Sequence, residues 1–507
     1  MGVLRISLPI AAAMLVGGCA SSQRNGGSPG ATGAPSVSDS GSSSVPDSGS
    51  SSVSDSGSPG PSGSAPSDSG SRPESGSGDA GAASDSGSLS GFSGDGGACG
   101  NGTPAATDVV VDLTRGLQTM DGFGISTAFQ STALTDAQAD QFFDPTKGIG
   151  ISIFRLGIGS NGDTLGPWSD ATKAAARGVV VWATPWSPPA NCKSNDNVND
   201  GGTLDTNCYD SWSTTLASFV ALAQQDAGVQ LMGISAQNEP ENTTPYPSCV
   251  FTGAQMVAFV KVLGPKLKAL TPPVQLLAPE SASWADLWGN SPYDYGDAIL
   301  ADPTAAAAVD ILATHEYITQ VAVAPPAGVT KKIWETEMSG VEGYPESGPS
   351  SDITDGLVVA HWIYDGIVVG GASAWHWWWT QSLNPDNEGL LLQDGTITKR
   401  FYTMGNYSKF IRPGYQRMTI AGTIPSGIEI TAYSNSSDGT VVIVADNPGT
   451  TAVSVSLFIS GVAPCSMTPW VTSSSANLAS GAAISVSQSR FSASLGAQTV
   501  TTFVGTP

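Results

Sequence analysis

Two glutamates, Glu239 and Glu337, each follow a short run that reads as a buried β-strand. Glu239 comes after Gln230–Gln237 and Glu337 after Lys331–Glu335, so that about a hundred residues separate the two. In a parallel β/α barrel the carboxyl ends of the strands surround one mouth, where residues distant in the chain meet. Hydrolysis of a glycosidic bond needs two carboxyl groups flanking that bond. The pair therefore predicts a sugar-cleaving site at a barrel mouth.

The segments that would position this pair have the order expected of a barrel. Beyond Gly100, strand-like and helical stretches alternate, which is typical of repeated β/α units. Helical spacing of apolar residues predicts helices over Tyr209–Ala227, Gly253–Leu270 and Asp355–Val369. The predicted barrel strands are Asp121–Ile125, Ile151–Ile158, Gly178–Thr184, Gln230–Gln237, Val274–Ala278, Val309–Ala313, Lys331–Glu335 and Gly371–Trp378. This number predicts an α/β fold, a (β/α)8 TIM barrel over residues 99–412.

The C-terminal segment has a different pattern. After Arg412, short strands rich in Val, Ile, Thr and Ser alternate with turns such as Asn435–Gly439, without helical periodicity. This predicts a β-sandwich over residues 413–507. The strand Thr107–Leu113, which precedes the barrel, is expected to complete that sandwich.

The first 98 residues predict export and a tether. Residues 1–19 contain Arg5, the apolar run Ile6–Val16 and small residues before Cys19, which resembles a lipoprotein signal peptide with Cys19 lipidated. Plain secretion is the alternative. Residues 20–98 repeat Ser, Gly, Asp and Pro, which predicts a disordered linker with a root-mean-square span of roughly 50 Å. We expect an exported protein that is secreted or anchored to a membrane, at the cell surface or in the periplasm.

Composition excludes some partners and cofactors. The net charge of −23 with only 20 Lys and Arg argues against nucleic acid. No metal is predicted, because the three histidines and the cysteines lack ligand spacing, and no phosphate-binding loop suggests a cofactor. Among six cysteines, Cys192 and Cys208 flank a loop rich in Gly, Asn and Asp and are the predicted disulfide. If Cys19 is lipidated, at least one of the other five stays unpaired.

Other predicted strand ends carry side chains suited to a sugar. An arginine can hold a carboxylate, an amide can bond a hydroxyl, and indole rings can stack on pyranose faces. The predicted substrate-binding residues are Arg155, Trp186, Asn238, His315, Tyr317, Trp375, Trp377 and Trp378. A single Trp or His at such a position more often belongs to the core, so the prediction rests on agreement among six strand ends.

Seven ordered stretches resemble glycoside hydrolase family 30, a group of β-glycosidases and endo-β-glycanases. They are Asp121–Gly124, Arg155–Gly159, Ala183–Pro189, Gln237–Pro240, Ala278–Glu280, Trp334–Glu337, and Lys399–Tyr402 with Gly405–Gly414. The resemblance implies a barrel with a β-sandwich and a retaining mechanism without a cofactor. It also implies that Glu239 is the acid/base and Glu337 the nucleophile.

The two carboxyl groups are expected to differ in charge. In a retaining pair about 5 to 5.5 Å apart, we expect Glu337 to be ionised near Arg155 and His315, and Glu239 to be protonated. Glu335 shares the face of Glu337 but lies one layer deeper, where a structural role and a supporting role are both open.

Two further glutamates, Glu241 and Glu316, compete for a role in the site. Both are expected to face solvent or a loop partner. Glu316, next to His315, keeps a chance of contact with the site.

The predicted substrate is a β-linked polysaccharide. Pro245–Gly253, and Trp182–Pro189 together with Lys193 and Asn195, resemble the xylanase-type members. Members that clamp a glucuronate branch have an arginine after the strand-eight aromatics, where this chain has Thr380-Gln381-Ser382. We therefore predict an endo-β-1,4-xylanase-type activity without a strict glucuronate requirement.

Several alternatives stay open. Leu383–Pro385 also resembles glucosylceramidase-like and β-1,6-glucanase-like members, so an exo-acting β-glucosidase or glucosylceramidase, or a β-1,6-glucanase or galactanase, is possible. A non-catalytic carbohydrate-binding lipoprotein would be expected to lack one carboxyl, and both are present. An adhesin that binds through its sandwich has only Trp470 as a candidate exposed aromatic.

Overall fold

The computed structural model describes residues 99–288, 292–317, 322–340, 352–384 and 388–506. The predicted signal peptide with Cys19, the predicted linker 20–98, and Pro385 lie outside the described residues. No helix within the described ranges combines the length and the apolar character needed to cross a membrane.

Eight parallel strands close into the predicted TIM barrel, preceded by β1 (Val109–Thr119). They are β2 (Gly122–Ser126), β3 (Ile153–Ile158), β4 (Val180–Pro185), β5 (Leu231–Ser235), β6 (Gln275–Ser281), β7 (Ile311–Thr314), β8 (Lys332–Glu335) and β9 (Ala374–Gln381). The barrel closes because β9 pairs with both β2 and β8. A short strand, β10 (Gly389–Leu391), pairs with β9 outside the ring.

Large inward side chains fill the barrel below its mouth. Trp182 and Trp334 meet edge to face at 6.1 Å, and His376 packs against both. These three side chains are buried, and aliphatic residues of neighbouring strands complete the layer. The interior is therefore a packed core, as barrels of this size require, and the polar chemistry is confined to the strand ends above it.

The helices cover the barrel. They are α1 (Asp136–Phe143), α2 (Trp168–Ala175), α3 (Tyr209–Ala227), α4 (Gly253–Lys268), α5 (Trp284–Leu287), α6 (Tyr295–Ala301), α7 (Pro303–Ala308), α8 (Ile353–Val368) and α9 (Lys399–Ser408), with 3-10 turns at Ala190–Cys192 and Thr206–Cys208. Local sequence sets their ends. Thr252 and Gln255 form a capping box that starts α4, and α3 ends where Gly228 takes a φ of 68°.

The C-terminal region is rich in sheet. Its strands are β11 (Gln416–Gly422), β12 (Glu429–Ser434), β13 (Val441–Asn447), β14 (Val453–Ser460), β15 (Ser466–Thr472), β16 (Ala479–Ser480), β17 (Ile484–Ser485), β18 (Arg490–Leu495) and β19 (Thr499–Gly505). Strand β1 pairs with β11 and β14, so a segment from before the barrel lies in this sheet. Phe491 of β18 and Phe503 of β19 touch at 5.4 Å although five strands separate them in the sheet order, so the sheet folds over one core.

Two disulfides stabilise the described chain. Cys192 and Cys208 are joined, the pair that the sequence indicates. Cys99 and Cys465 form a second bridge across 366 residues, which the sequence did not indicate. Cys249 is buried and unpaired.

Candidate active site

The two predicted carboxyls face each other at the barrel mouth. Glu239 follows β5 and Glu337 follows β8, and a carboxylate oxygen of each lies within 4.8 Å of the other and of a ring nitrogen of His315. Glu239 keeps 7% and Glu337 keeps 6% of its surface exposed, so both reach the cleft while their surroundings are dry. Two carboxyl groups therefore lie close together at the mouth, the arrangement that glycoside hydrolysis requires.

Arg155, on β3, organises the floor of this site. Its guanidinium donates to Glu337 Oε2, to Asn238 Oδ1 at 2.7 Å and to Glu280 Oε1 at 2.7 Å, and its Nε donates to Thr184 Oγ1 at 3.1 Å. Burial lowers the pKa of Arg155, but the carboxylates of Glu280 and Glu337 outweigh it and raise the pKa. Arg155 is thus a permanent cation that fixes Glu337 and Asn238.

Glu280 is a site residue that sequence reasoning missed. It ends β6, is fully buried, and bonds Arg155, Thr184 and Ser235 through its carboxylate. One indication of this role was present in the sequence: Glu280 is the last residue of the family-like stretch Ala278–Glu280, which follows a predicted strand. Because it does not line the cleft, its role is to orient Arg155.

His315 lies between three carboxyl groups. Its Nδ1 is 3.2 Å from Glu239 Oε1, and its Nε2 is 3.6 Å from Glu280 Oε1. Burial lowers the pKa of His315, but Glu337, Glu239 and Glu280 together raise it to about 10. His315 is therefore an imidazolium at neutral pH, which donates to Glu239.

Tyr317 holds the second oxygen of Glu337. Its hydroxyl donates to Glu337 Oε1 at 3.1 Å and also contacts Ser339 Oγ at 3.2 Å. With Arg155 on Oε2, both oxygens of the Glu337 carboxylate are thus hydrogen-bonded. The orientation of this carboxylate is fixed on both sides.

The pKa shifts of the two carboxyls run opposite to the expected difference. Burial raises the pKa of Glu239, but hydrogen bonds from His315 and Asn242 and the charges of His315 and Arg155 lower it overall. Burial, together with the charge of Glu239, raises the pKa of Glu337 by more than Arg155 and His315 lower it. The sequence indicated His315 beside Glu337, but it did not indicate that the ring also bonds Glu239. Asn242, whose amide donates to Glu239 Oε2 at 3.0 Å, was not predicted at all.

Of the four predicted tryptophans, two reach the site. Trp186 and Trp378 lie over the Arg155 guanidinium at 4.8 and 5.5 Å, and their rings are 5.7 Å apart. Trp378 retains 7% of its surface and presents a ring to the cleft. Trp186 is more deeply buried and packs against both Arg155 and Trp378.

Trp375 and Trp377 were predicted to bind substrate, and this prediction is wrong. Side chains alternate along β9, so residues 376 and 378 point inward while 375 and 377 point toward the surrounding helices. Trp375 Nε1 donates to Glu316 Oε2 at 3.2 Å, and Trp377 Nε1 donates to the Glu388 carbonyl at 2.9 Å. A run of five aromatic residues hides this alternation in the sequence.

The three rival glutamates have separate positions. Glu241 accepts from the backbone N–H of Ala282, which is the loop partner expected for it. Glu316 was expected to face solvent or a loop partner. It is instead fully buried just beyond the end of β7, where its carboxylate accepts from Trp375 Nε1. Glu335 lies beneath Glu337, and its carboxylate accepts from the Glu337 N–H at 3.0 Å.

Glu239, His315 and Glu337 are spaced closely enough to bind a cation. However, Arg155 already bonds Glu337, and His315 is itself charged at neutral pH. Two adjacent positive charges oppose a metal ion there. The arrangement suits proton transfer and nucleophilic attack better than metal binding.

Comparison with known proteins agrees with this geometry. The model of the glycosyl hydrolase family 30 TIM-barrel domain matches residues 166–342, which include both carboxyls. The chain is 32% identical over 413 residues to glucuronoxylanase XynC of Bacillus subtilis strain 168, covering 79% of this chain and 92% of that protein. It is 26% identical over 314 residues to mouse lysosomal acid glucosylceramidase, covering 55% and 58%.

A solved structure is similar over the same extent. The family 30 subfamily 8 xylanase Xyn30A of Clostridium acetobutylicum superposes with a TM-score of 0.69 at 32% identity, covering 79% of this chain and all of that one. The chain therefore belongs to glycoside hydrolase family 30 and is an O-glycoside hydrolase.

Proposed function

We propose that this hydrolase is a retaining enzyme that cleaves β-linked polysaccharide, with endo-β-1,4-xylanase-type activity and no strict glucuronate requirement. The observation that carries the mechanism is the approach of Glu239 and Glu337 to within 4.8 Å between carboxylate oxygens. Retaining enzymes have carboxyls about 5–5.5 Å apart, whereas inverting enzymes need about 6.5–9.5 Å to admit a water molecule. The close approach therefore supports the retaining mechanism.

In the proposed reaction Glu337 attacks the anomeric carbon. Arg155 and Tyr317 each hold one of its oxygens, so the attacking carboxylate needs little reorganisation. Glu239 protonates the leaving oxygen, and the glycosyl bond to Glu337 forms as the glycosidic bond breaks. Glu239 then takes a proton from the water that releases the sugar.

The acid step requires Glu239 to carry a proton, although its contacts lower its pKa. His315, with a pKa of about 10, keeps its own proton, so the proton on Glu239 comes from solvent and is returned when Glu239 deprotonates the attacking water. Glycosylation of Glu337 removes a negative charge from the pair. Glu239 is then better suited to act as a base.

Similar proteins named as a glucuronoxylanase and as family 30 xylanases support xylan as the substrate. The β9 end supports independence of a glucuronate branch. There, Thr380 Oγ1 donates to Gln130 Oε1 at 3.1 Å, and Gln130 Nε2 donates to the Gln381 carbonyl at 2.9 Å. These groups are uncharged, and an amide does not replace the bidentate hold of an arginine on a carboxylate.

A second candidate is an exo-acting β-glucosidase or a β-1,6-glycanase. Similarity to mouse glucosylceramidase, and 23% identity to a Neurospora crassa endo-1,6-β-glucanase, favour it. The non-catalytic binding protein is disfavoured because both carboxyls are in place and hydrogen-bonded.

Product analysis tests these proposals. Purified protein is incubated with glucuronoxylan, unsubstituted xylan, β-1,6-glucan, β-1,6-galactan and an aryl β-glucoside, beside Glu337→Gln and the control Asp170→Asn. We expect oligosaccharides from both xylans, with the β-configuration retained in the first product by NMR, and none from Glu337→Gln. Only monosaccharide from the aryl glucoside would support the exo-acting candidate. Binding without turnover would support the non-catalytic alternative.

We also propose that the enzyme works outside the cytoplasm, anchored through Cys19. The disulfides Cys192–Cys208 and Cys99–Cys465 support export because such bridges persist in oxidising compartments. The segment before Cys19 supplies the signal.

A further inference from the structure

Strands β8 and β9 barely pair at the point where the barrel closes. Within the two strands, only Trp334 and Ala374 are ladder partners, and the next bridge joins Met338 to Trp377. The gap lies opposite Glu335–Glu337, the segment that leads to the proposed nucleophile. Backbone N–H groups in such a buried gap need other acceptors, because an unpaired one costs about 1–3 kcal/mol.

The carboxylate of Glu335 supplies those acceptors. Its Oε1 accepts from the N–H of Glu337 at 3.0 Å, and its Oε2 accepts from the N–H of His376 at 2.8 Å. Its own carbonyl accepts from His376 Nδ1 at 2.6 Å, so the imidazole is fixed with its proton on Nδ1. Glu335 is fully buried. One side chain thus replaces the missing part of the ladder.

These bonds fix the backbone of Glu337 on one side, and a neighbouring strand fixes it on the other. The carbonyl of Glu337 accepts from the Glu316 N–H at 3.3 Å. The side chain of Glu337 is then held by Arg155 and Tyr317. Removing the Glu335 carboxylate would therefore remove the hydrogen bond from the Glu337 N–H and leave the bonds to the carbonyl and side chain of Glu337 in place.

We propose that Glu335 is a positioning residue for the nucleophile, holding the backbone of Glu337 across the gap between β8 and β9 in place of ladder hydrogen bonds. This inference rests on the proposed role of Glu337. Glutamine at 335 keeps the shape but has only one acceptor oxygen, so one of the two N–H groups would face an NH2 group. Aspartate at 335 is one methylene shorter, so its carboxylate would lie farther from the N–H groups of both Glu337 and His376.

The chain offers a matched control. Asp170 is equally buried and its carboxylate also accepts a backbone N–H, that of Leu134 at 2.8 Å, but it lies on α2 and not on a barrel strand. Asp170→Asn therefore perturbs a buried carboxyl that bonds a backbone N–H away from the nucleophile. A general loss of stability would affect both variants.

The test measures kcat and KM on xylan oligosaccharides and the rate of covalent labelling by a 2-fluoro xylobioside, with the site of labelling found by mass spectrometry. For Glu335→Gln we expect kcat and the labelling rate to fall about 10- to 100-fold with KM within about twofold, while Asp170→Asn stays near wild type. Glu335→Asp, with rates expressed per folded molecule, is expected to fall at least as far. Unchanged rates in the Glu335 variants, or equal losses in Asp170→Asn, would overturn the inference.

The labelled residue separates this inference from the proposed function. Label on Glu337 in wild-type protein supports the proposed nucleophile whatever the Glu335 variants do. Label on another residue would overturn the assignment of Glu337, and this inference with it.

Discussion

The backbone N–H of Glu239 donates to the carbonyl oxygen of Glu280 at 2.9 Å, and both residues have left-handed backbones, with φ of 44° and 68°. Such a conformation costs a non-glycine residue about 1–2 kcal/mol. These two strained residues lie at neighbouring strand ends. The carboxylate of Glu239 points toward the cleft, and the carboxylate of Glu280 points toward Arg155. The position of the proposed acid/base therefore depends on the strand that follows it.

Replacing the Glu280 side chain tests how far Arg155 depends on it. Glu280→Gln keeps the size of the side chain but removes one of the two carboxylates bonded to Arg155. A charge-assisted hydrogen bond contributes about 1.5–3 kcal/mol, so we expect kcat/KM to fall about 10- to 100-fold in a folded protein. Steady-state kinetics with circular dichroism checks this. Wild-type kinetics in the variant would show that Arg155 does not need Glu280.

The alternation along β9 gives a paired prediction for two tryptophans. Trp378→Ala removes an inward ring and is expected to raise KM for oligosaccharides about tenfold. Trp375→Phe removes the donor to Glu316 on the outer face and is expected to lower the free energy of unfolding by about 1–3 kcal/mol without changing KM. Kinetics and urea unfolding separate the two effects. A changed KM in Trp375→Phe would contradict the assignment.

Stability should decrease as pH rises. Burial raises the pKa of Asp446 to about 8 from its ordinary value of 3.8, so the folded state binds more protons than the unfolded state between these limits. The stabilisation from His315, whose pKa is raised from 6.5 to about 10, is likewise lost on the alkaline side. The unfolding free energy therefore falls from about pH 5 to pH 9.

Thermal unfolding at pH 5, 7 and 9 measures this slope. Asp446→Asn replaces a buried acid with a neutral amide and should flatten the dependence of Tm on pH. The exposed Asp226→Asn is the control and should not. A Tm that rises between pH 5 and pH 9 would contradict the prediction.

Lipidation is tested at Cys19. In a bacterial host that processes lipoproteins, we expect the wild-type chain to incorporate labelled palmitate and to partition into detergent. Cys19→Ala should lose both properties and keep its glycosidase activity, because the residue lies far from the barrel in sequence. Equal detergent partitioning of the two proteins would leave secretion as the explanation.

The fold was largely predictable because it depends on periodicity and strand order. The barrel strands follow from apolar runs, and the meeting of Glu239 and Glu337 follows from barrel topology. The role of Glu280 was not predicted, because its orientation depends on a positive φ, which a glutamate in the sequence does not indicate. Trp375 and Trp377 were assigned to the wrong face because neighbouring aromatics conceal a period of two.

The bridge between Cys99 and Cys465 also determines how a pull on the chain would be transmitted. Cys465 lies between β14 and β15 of the sheet-rich region, so tension applied before Cys99 enters that region through a covalent bond. The tension divides at Cys99 between this bond and the backbone that continues to β1, and β1 is itself a strand of the sheet. Both paths therefore enter the sheet-rich region before the barrel, so we expect strain from the N-terminal side to fall on the sheet while Glu239 and Glu337 keep their separation.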